Sequence, residues 1–376
     1  MILRRLNVIN YRNLQDVTLH LSDNVNCFVG NNGMGKTNVL DAVYYLSFCK
    51  SSLNNLDAAN IHHGDDFFML DGRYVNEATE VEEHVVCSLQ RGQRKRLRRN
   101  DKDCKRLAEH VGLVPLVIIS PSDLELVAGG SEERRRFMDM VIAQYDPIYL
   151  ERLVRYQRAL AQRNALLKAE DKPDAGLMDV LEAMMSECAA TLYEGRARFV
   201  EEFTPIFRQL YGQLCNTPDE SPDVCYESHA ERGELLPLLK EGRERERIVG
   251  YTLHGPHKDN LSLLLNGFEL RREGSQGQTK TYFISMKLAQ YLYLKRKSES
   301  RTGQGMAAGS PILLLDDIFD KLDAGRVACI VKYVSGDAFG QIFITDTNRE
   351  HLDQILASTV RDYKLFQVDG GQVSAT

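Results

Sequence analysis

The spacing of apolar positions changes along this chain, and each change predicts a different kind of element. Through ILRRLNVINY, residues 2–11, apolar and polar residues mix at near-strand spacing, and a short strand from Asn24 to Val29 enters a glycine loop. From Asn38 to Phe48, the residues Val39, Leu40, Val43, Tyr44 and Leu46 recur at helical spacing. HVVCSLQRGQRKRLRRND reads as a hairpin, with one turn near Arg91-Gly92 and another near Asn100-Asp101. Between about Ser131 and Gly250 the period becomes helical and the composition charged. PIYLERLVRYQRALAQRNALLKAE and GLMDVLEAMMSECAATLYEGRARFVEEF predict two long helices separated by DKPDAG, and a polar loop, NTPDESPD, follows them. Neither helix sustains heptads for long, so a short helical lobe is expected rather than an extended coiled coil. After Gly250 strands return: LSLLLNGFEL predicts a hairpin turning at Asn266-Gly267. The four apolar residues Ile312 to Leu315 predict a central parallel strand buried on both faces. The expected fold is an α/β core interrupted by a helical insertion, divided as 1–125, 126–250 and 251–376.

Composition narrows this little. At 376 residues, with 43% hydrophobic and 27% charged content, the chain is long enough for one large domain or two lobes and ordinary for a soluble protein. No run approaches the ~18 apolar residues of a membrane helix, and MILRRLNVINYRNL has no h-region, so no membrane association and a cytoplasmic location are expected. The eight cysteines are scattered without CxxC or zinc-ligand spacing, which fits reduced thiols. A net charge of −6 leaves any nucleic-acid contact to local patches.

Three stretches carry candidate chemistry. GNNGMGKT, comprising Gly30, Asn31, Asn32, Gly33, Met34, Gly35, Lys36 and Thr37, fits the phosphate-loop pattern G-x-x-x-x-G-K-[ST] between a strand and a helix. Its glycines let backbone N–H groups curl around a β-phosphate, Lys36 would bridge the β- and γ-phosphates of ATP, and the Thr37 hydroxyl would face Mg²⁺. In PILLLDDIFDKLD the buried strand ends in two carboxylates at the edge where open α/β sheets bind ligands. Asp316 would hold Mg²⁺, and Asp317 would orient or deprotonate the attacking water. The acidic strand follows the phosphate loop by some 280 residues, an order that resembles the ATPase heads of the ABC and SMC classes. GSQGQTKT then resembles the ABC signature, with Ser275, Gly277 and Gln278 in the Ser-x-Gly-Gln core on a helix N-terminus.

Several further blocks give the chain a near full-length resemblance to the bacterial RecF family: NYRNL, SPSDLELVAGGSEERRRFMD, Tyr156 with QRNALLK, HGPHKDN and LLLDDIFDKLD. The resemblance implies an ABC/SMC-type head without long arms that binds ATP, Mg²⁺ and DNA, single- and double-stranded and at gap junctions. It implies recombinational repair, replication and the SOS response alongside RecO and RecR. It also implies an ATP-dependent homodimer with slow hydrolysis, in which Ser275, Gly277 and Gln278 of one copy cover the nucleotide of the other and Asp323 stands at the D-loop. Two departures stand out. Asp346 or Thr347 occupies the place of the transporter switch histidine, and the SPSD segment occupies that of the Q-loop glutamine.

Other features have competing readings. The run RGQRKRLRRNDKDCKR holds nine basic and two acidic residues, and its Arg94, Arg96, Arg98 and Arg99 read equally as DNA contacts or as a solvated hairpin edge. Arg152, Arg155 and Arg158 suit a solvated helix face better than a DNA stripe, and Arg134, Arg135 and Arg136 read equally as an interface or DNA contact or as structural ion pairs. His254 and His257 bracket a turn without a third metal ligand, and read equally as a structural turn or as groups near the nucleotide or in lobe coupling; Arg12 is a candidate to reach the nucleotide. The alternative function is an ABC/SMC-class ATPase that couples ATP to a protein partner without DNA. Transporter subunits, SMC-like nucleases and small-molecule phosphotransferases are further rivals.

Overall fold

Three five-residue strands, Val25–Val29, Ile312–Asp316 and Ile342–Asp346, are buried at every position and lie side by side in one sheet. The computed structural model describes the chain except residues 77–78, 172, 216–218, 301–308, 319–338 and 348–361. Among the described residues this sheet has six strands, in the order Gln372–Ala375, Tyr363–Asp369, Val25–Val29, Ile342–Asp346, Ile312–Asp316, Leu116–Ile119. All neighbours are parallel except the last hairpin. Burial on both faces is why Ile312 to Leu315 reads as an uninterrupted apolar run.

A second six-stranded sheet is antiparallel throughout, in the order Leu14–His20, Ile2–Tyr11, Phe67–Val75, Glu82–Gln90, Arg96–Arg99, Lys102–Asp103. Here strands alternate buried and exposed positions, as in Leu14–His20. The two predicted turns are present: Gly92 has φ 72°, and Asn100 and Asp101 have φ 49° and 63° in the left-handed region a two-residue primed turn requires. Both sheets belong to one compact unit, Met1–Asp123 with Gln290–Thr376.

The other unit is Leu124–Ala289. Its long helices, Pro147–Lys168 and Ala175–Leu214, start at Asp146 and Asp174, whose side chains accept the N–H groups of Tyr149 and Leu177. The 40-residue helix Ala175–Leu214 carries Phe199, Phe203, Phe207 and Tyr211 along one buried stripe, where they pack on one another, on Phe137 and on Tyr282. A three-stranded antiparallel sheet, Phe268–Glu269, Asn260–Leu265, Pro222–Glu227, completes the unit, and Asn266 and Gly267 turn as expected with φ 54° and 83°. That sheet corrects the expected division of the chain. Residues 251–289 go with the helices rather than with the parallel sheet, because Asn260–Leu265 pairs along its whole length with Pro222–Glu227.

Candidate nucleotide-binding site

The strand Val25–Val29 runs into GNNGMGKT, and the helix Lys36–Phe48 begins at its lysine. Gly33 and Gly35 have φ 81° and 114°, which side chains resist. Gly35 ends the loop as the helix cap and, being glycine, brings no capping side chain of its own to the helix N-terminus. That leaves the end of the helix dipole to an anion. Gly30 is required for space: a Cβ there would stand 2.2 Å from the Val368 carbonyl oxygen.

Lys36 is 3% exposed. Its Nζ donates to the carbonyls of Gly30 at 2.9 Å and Asn31 at 3.2 Å, folding the side chain back over its own loop. Asp317 Oδ2 lies 3.8 Å from the same nitrogen. The Thr37 hydroxyl donates to Asp316 Oδ1 at 3.0 Å, joining residues 279 positions apart. Burial pushes the Asp316 carboxyl above its usual range, against hydrogen bonds from Thr345 and Thr37 that favour the charged form. A hydroxyl and a carboxylate in direct contact are the hard oxygen donors that Mg²⁺ takes, so the pair fits that ion. Asp317 has φ 44° and donates its N–H to Thr345 Oγ1 at 2.9 Å.

Thr345 and Asn13 were not singled out from the sequence. Thr345 is fully buried, donates to Asp316 Oδ1 at 2.8 Å and so fixes both aspartates from the neighbouring strand. Asn13, inside NYRNL, donates to the Met34 carbonyl at 3.0 Å and accepts from Asn38 at 2.7 Å. The Gly371 N–H reaches that same carbonyl at 2.9 Å. The apex of the loop is therefore braced from both ends of the chain. Arg12, beside Asn13, is turned to the buried Asp41: its Nε lies 3.4 Å from Asp41 Oδ2 and its Nη2 donates to Ser51.

In the second unit GSQG opens the helix Gln276–Ser300. Ser275 Oγ accepts the Gln278 N–H at 3.2 Å, and Gln278 Oε1 accepts the Ser275 N–H at 2.8 Å. This reciprocal pair is a capping box, which gives Ser-x-x-Gln a local structural reason as well as a ligand-binding one. Asp323, the expected D-loop residue, lies outside the described residues.

Three of the four candidate arginines of the basic hairpin are paired with carboxylates. Arg96 pairs with Asp103 at 3.3 Å, Arg98 with Asp101 at 3.7 Å, and Arg99 with Glu83 at 2.6 Å, which holds the Glu83 carboxyl below its usual range. Lys95 points inward to Asp57, Tyr45 and the Cys49 carbonyl. Arg94 is exposed and has no ion pair among the described residues. Arg152 and Arg155 pair with Glu187. Arg134 and Arg135 donate to the carbonyls of Leu261 and Asp259, and Arg136 pairs with Glu133. His257 bonds Tyr156 at 2.7 Å and the Thr252 carbonyl at 3.0 Å, and burial lowers its pKa to about 4. These are structural assignments within the second unit. No cluster of three metal-ligating side chains occurs among the described residues, and no helix there is long and apolar enough to cross a membrane.

The two parallel-sheet motifs and the surrounding fold define a P-loop ATPase head of the ABC/SMC type. Residues 2–372 match the RecF/RecN/SMC N terminal domain, and an Smc head domain from Pyrococcus yayanosii shares the fold, with a TM-score of 0.60 at 13% identity over 100% of this chain and 96% of that one. Within this class the relatives are specific. The DNA replication and repair protein RecF of Phocaeicola vulgatus is 52% identical over 374 residues, 100% of this chain and 98% of that protein. RecF of Porphyromonas gingivalis is 46% identical over 374 residues, 99% and 100% of the two chains. A solved structure of the recombination mediator protein RecF with ATP, in the RecFOR pathway, has a TM-score of 0.85 at 26% identity over 100% of this chain and 97% of that one. The chain belongs to the RecF family.

Proposed function

We propose that this chain is an ATP-dependent DNA-binding protein of recombinational repair and replication, acting in the cytoplasm in gap repair and the SOS response with RecR and RecO. The observation that carries the reading is the meeting of Lys36 and Thr37 with Asp316 and Asp317 across 279 residues of sequence. In this reading residues 30–37 wrap the ATP phosphates. Lys36 exchanges its bonds to Gly30 and Asn31 for phosphate oxygens, so its buried charge is never without partners. Thr37 and Asp316 would hold Mg²⁺, which would supply positive charge against the phosphates. Asp317 orients the attacking water, and its side chain, shorter than that of glutamate on a backbone fixed by the Thr345 bond to its N–H, fits slow hydrolysis used as a switch.

Ser275, Gly277 and Gln278 then complete the ATP site of a second copy, and Asp323 serves as the D-loop residue of that interface. ATP acts chiefly as a ligand that stabilises the dimer, and hydrolysis releases it. Sedimentation of the protein with ATP, with ADP and without nucleotide, each with and without gapped DNA, tests this directly. Dimer with ATP alone, tightened by DNA, is expected; a monomer in every condition would overturn the mechanism.

Arg94, Arg96, Arg98 and Arg99 form the proposed DNA edge, with unequal shares. Among the described residues Arg94 has no acidic partner to lose, whereas Arg96, Arg98 and Arg99 must leave theirs. An Arg94→Glu, Arg96→Glu protein should lose about tenfold in DNA affinity at low salt and show a flatter dependence on salt. An unchanged salt slope would return the hairpin to the role of a soluble sheet edge.

A further inference from the structure

The signature loop is held from behind by a carboxylate that belongs to no motif. Gln278 uses both ends of its side-chain amide: Oε1 accepts the Ser275 N–H, and Nε2 donates to Glu220 Oε1 at 2.8 Å, across 58 residues. The other oxygen of Glu220 accepts the Tyr211 hydroxyl and the Cys215 thiol, the latter at 3.0 Å. Tyr211 is fully buried near the end of the long helix, edge-on to Tyr282, which lies on the helix that the loop opens. Glu220 is thus a clasp between the end of one helix and the start of another.

An amide bonded at both ends cannot flip without breaking two hydrogen bonds, one of them to a charged acceptor, and bonds of that kind are the strong ones. With Gln278 fixed, its N–H holds the Ser275 oxygen on the acceptor side, and the hydrogen of that exposed hydroxyl remains to be donated outward. The negative charge of Glu220 would oppose a phosphate if it faced one. It is instead occupied by three donors, from Tyr211, Cys215 and Gln278.

We propose that Glu220 is the positioning residue of the signature: through Gln278 it holds Ser275 and the first helical turn in the geometry that receives the γ-phosphate of ATP bound to a second copy. This rests on the reading of the loop as the second half of a shared ATP site. Nothing in the pattern Ser-x-Gly-Gln discloses it, because Glu220 comes from the polar loop NTPDESPD.

The full chain is tested as Glu220→Ala, Glu220→Gln and Ser275→Arg, for ATP affinity of the monomer, ATP-dependent dimerisation, kcat and thermal melting. Glu220→Ala should bind ATP as a monomer within about twofold of wild type and dimerise about tenfold more weakly, the loss expected for a hydrogen bond to a charged group. Its kcat should fall even at protein concentrations that restore the dimer. Glu220→Gln keeps an oxygen acceptor for Gln278 and should recover to within about threefold. Ser275→Arg should abolish dimerisation and turnover while sparing monomer binding. If Ser275→Arg behaves so and Glu220→Ala dimerises like wild type, the positioning role alone is overturned. If Ser275→Arg still dimerises, the shared-site reading falls, and this inference with it. A joint loss of melting temperature and monomer binding in both Glu220 variants would make the residue a structural clasp only and overturn its role at the signature.

Discussion

An Asp317→Asn protein is expected to bind ATP as tightly as wild type or slightly more tightly, and to hydrolyse it roughly two to four orders of magnitude more slowly. Asparagine is the informative substitution because position 317 has φ 44°, a conformation that asparagine adopts more readily than most residues. The backbone bond from its N–H to Thr345 survives the change. What disappears is one carboxylate, 28% exposed and 3.8 Å from Lys36 Nζ. Removing a negative charge beside the proposed phosphate site does not weaken anion binding, so affinity should hold while the group proposed to orient or deprotonate the water is lost. The neighbouring carboxylate behaves oppositely. Asp316→Asn keeps one oxygen for Thr37 and Thr345 to bond but loses the negative charge proposed to hold Mg²⁺, so it should weaken Mg²⁺-dependent binding itself. Phosphate release under steady state and equilibrium nucleotide binding separate the two. Turnover by Asp317→Asn within a few-fold of wild type would move water activation to another group.

The residues of this site divide by how their contribution is encoded. Gly33, Gly35, Lys36 and Thr37 are legible because a backbone that wraps a phosphate demands glycine and a helix start at fixed spacing. Asp316 and Asp317 are legible because four apolar residues precede them and a buried strand must end somewhere. Thr345 and Asn13 were not, since each acts only through partners from a distant part of the chain: Asp316 at 29 residues and the Met34 carbonyl at 21. The turns at Asn100-Asp101 and Asn266-Gly267 were readable from two residues each, their positive φ being a local demand. The boundary at 251 was not. The change from helical to strand spacing is real there, but pairing of Asn260–Leu265 with Pro222–Glu227 decides which body the strand joins. The basic run shows the same limit. Charge density is visible in sequence, but not that Lys95 turns inward while Asp101, Asp103 and Glu83 engage three of the arginines.

In the second unit, Arg163→Met is expected to cost about 3–5 kcal/mol, the range for breaking a buried ion pair from one side. Arg163, Glu182 and Glu246 all have 0% side-chain exposure. The guanidinium donates to Glu182 at 2.9 and 3.1 Å, to Thr252 at 2.8 Å and to the Leu239 carbonyl at 3.2 Å, and it lies 2.6 Å from Glu246 Oε2. One side chain on Pro147–Lys168 thereby ties the helices Ala175–Leu214 and Leu235–Val249 to its own. The two carboxylates are not equally exposed to its loss. Glu182 keeps Arg243, with Nη2 to Oε2 at 2.5 Å, whereas among the described residues Glu246 keeps only an uncharged partner, the Leu253 N–H at 2.6 Å. Glu246 is then the stranded charge, and neutralising it should return much of the loss. Thermal melting should fall by about 6–20 °C for Arg163→Met in a unit of this size. Arg163→Met, Glu246→Gln should recover a large part of that, and Arg163→Met, Glu182→Gln little. Equal recovery in the two double variants would show that both carboxylates, and not Glu246 alone, depend on Arg163.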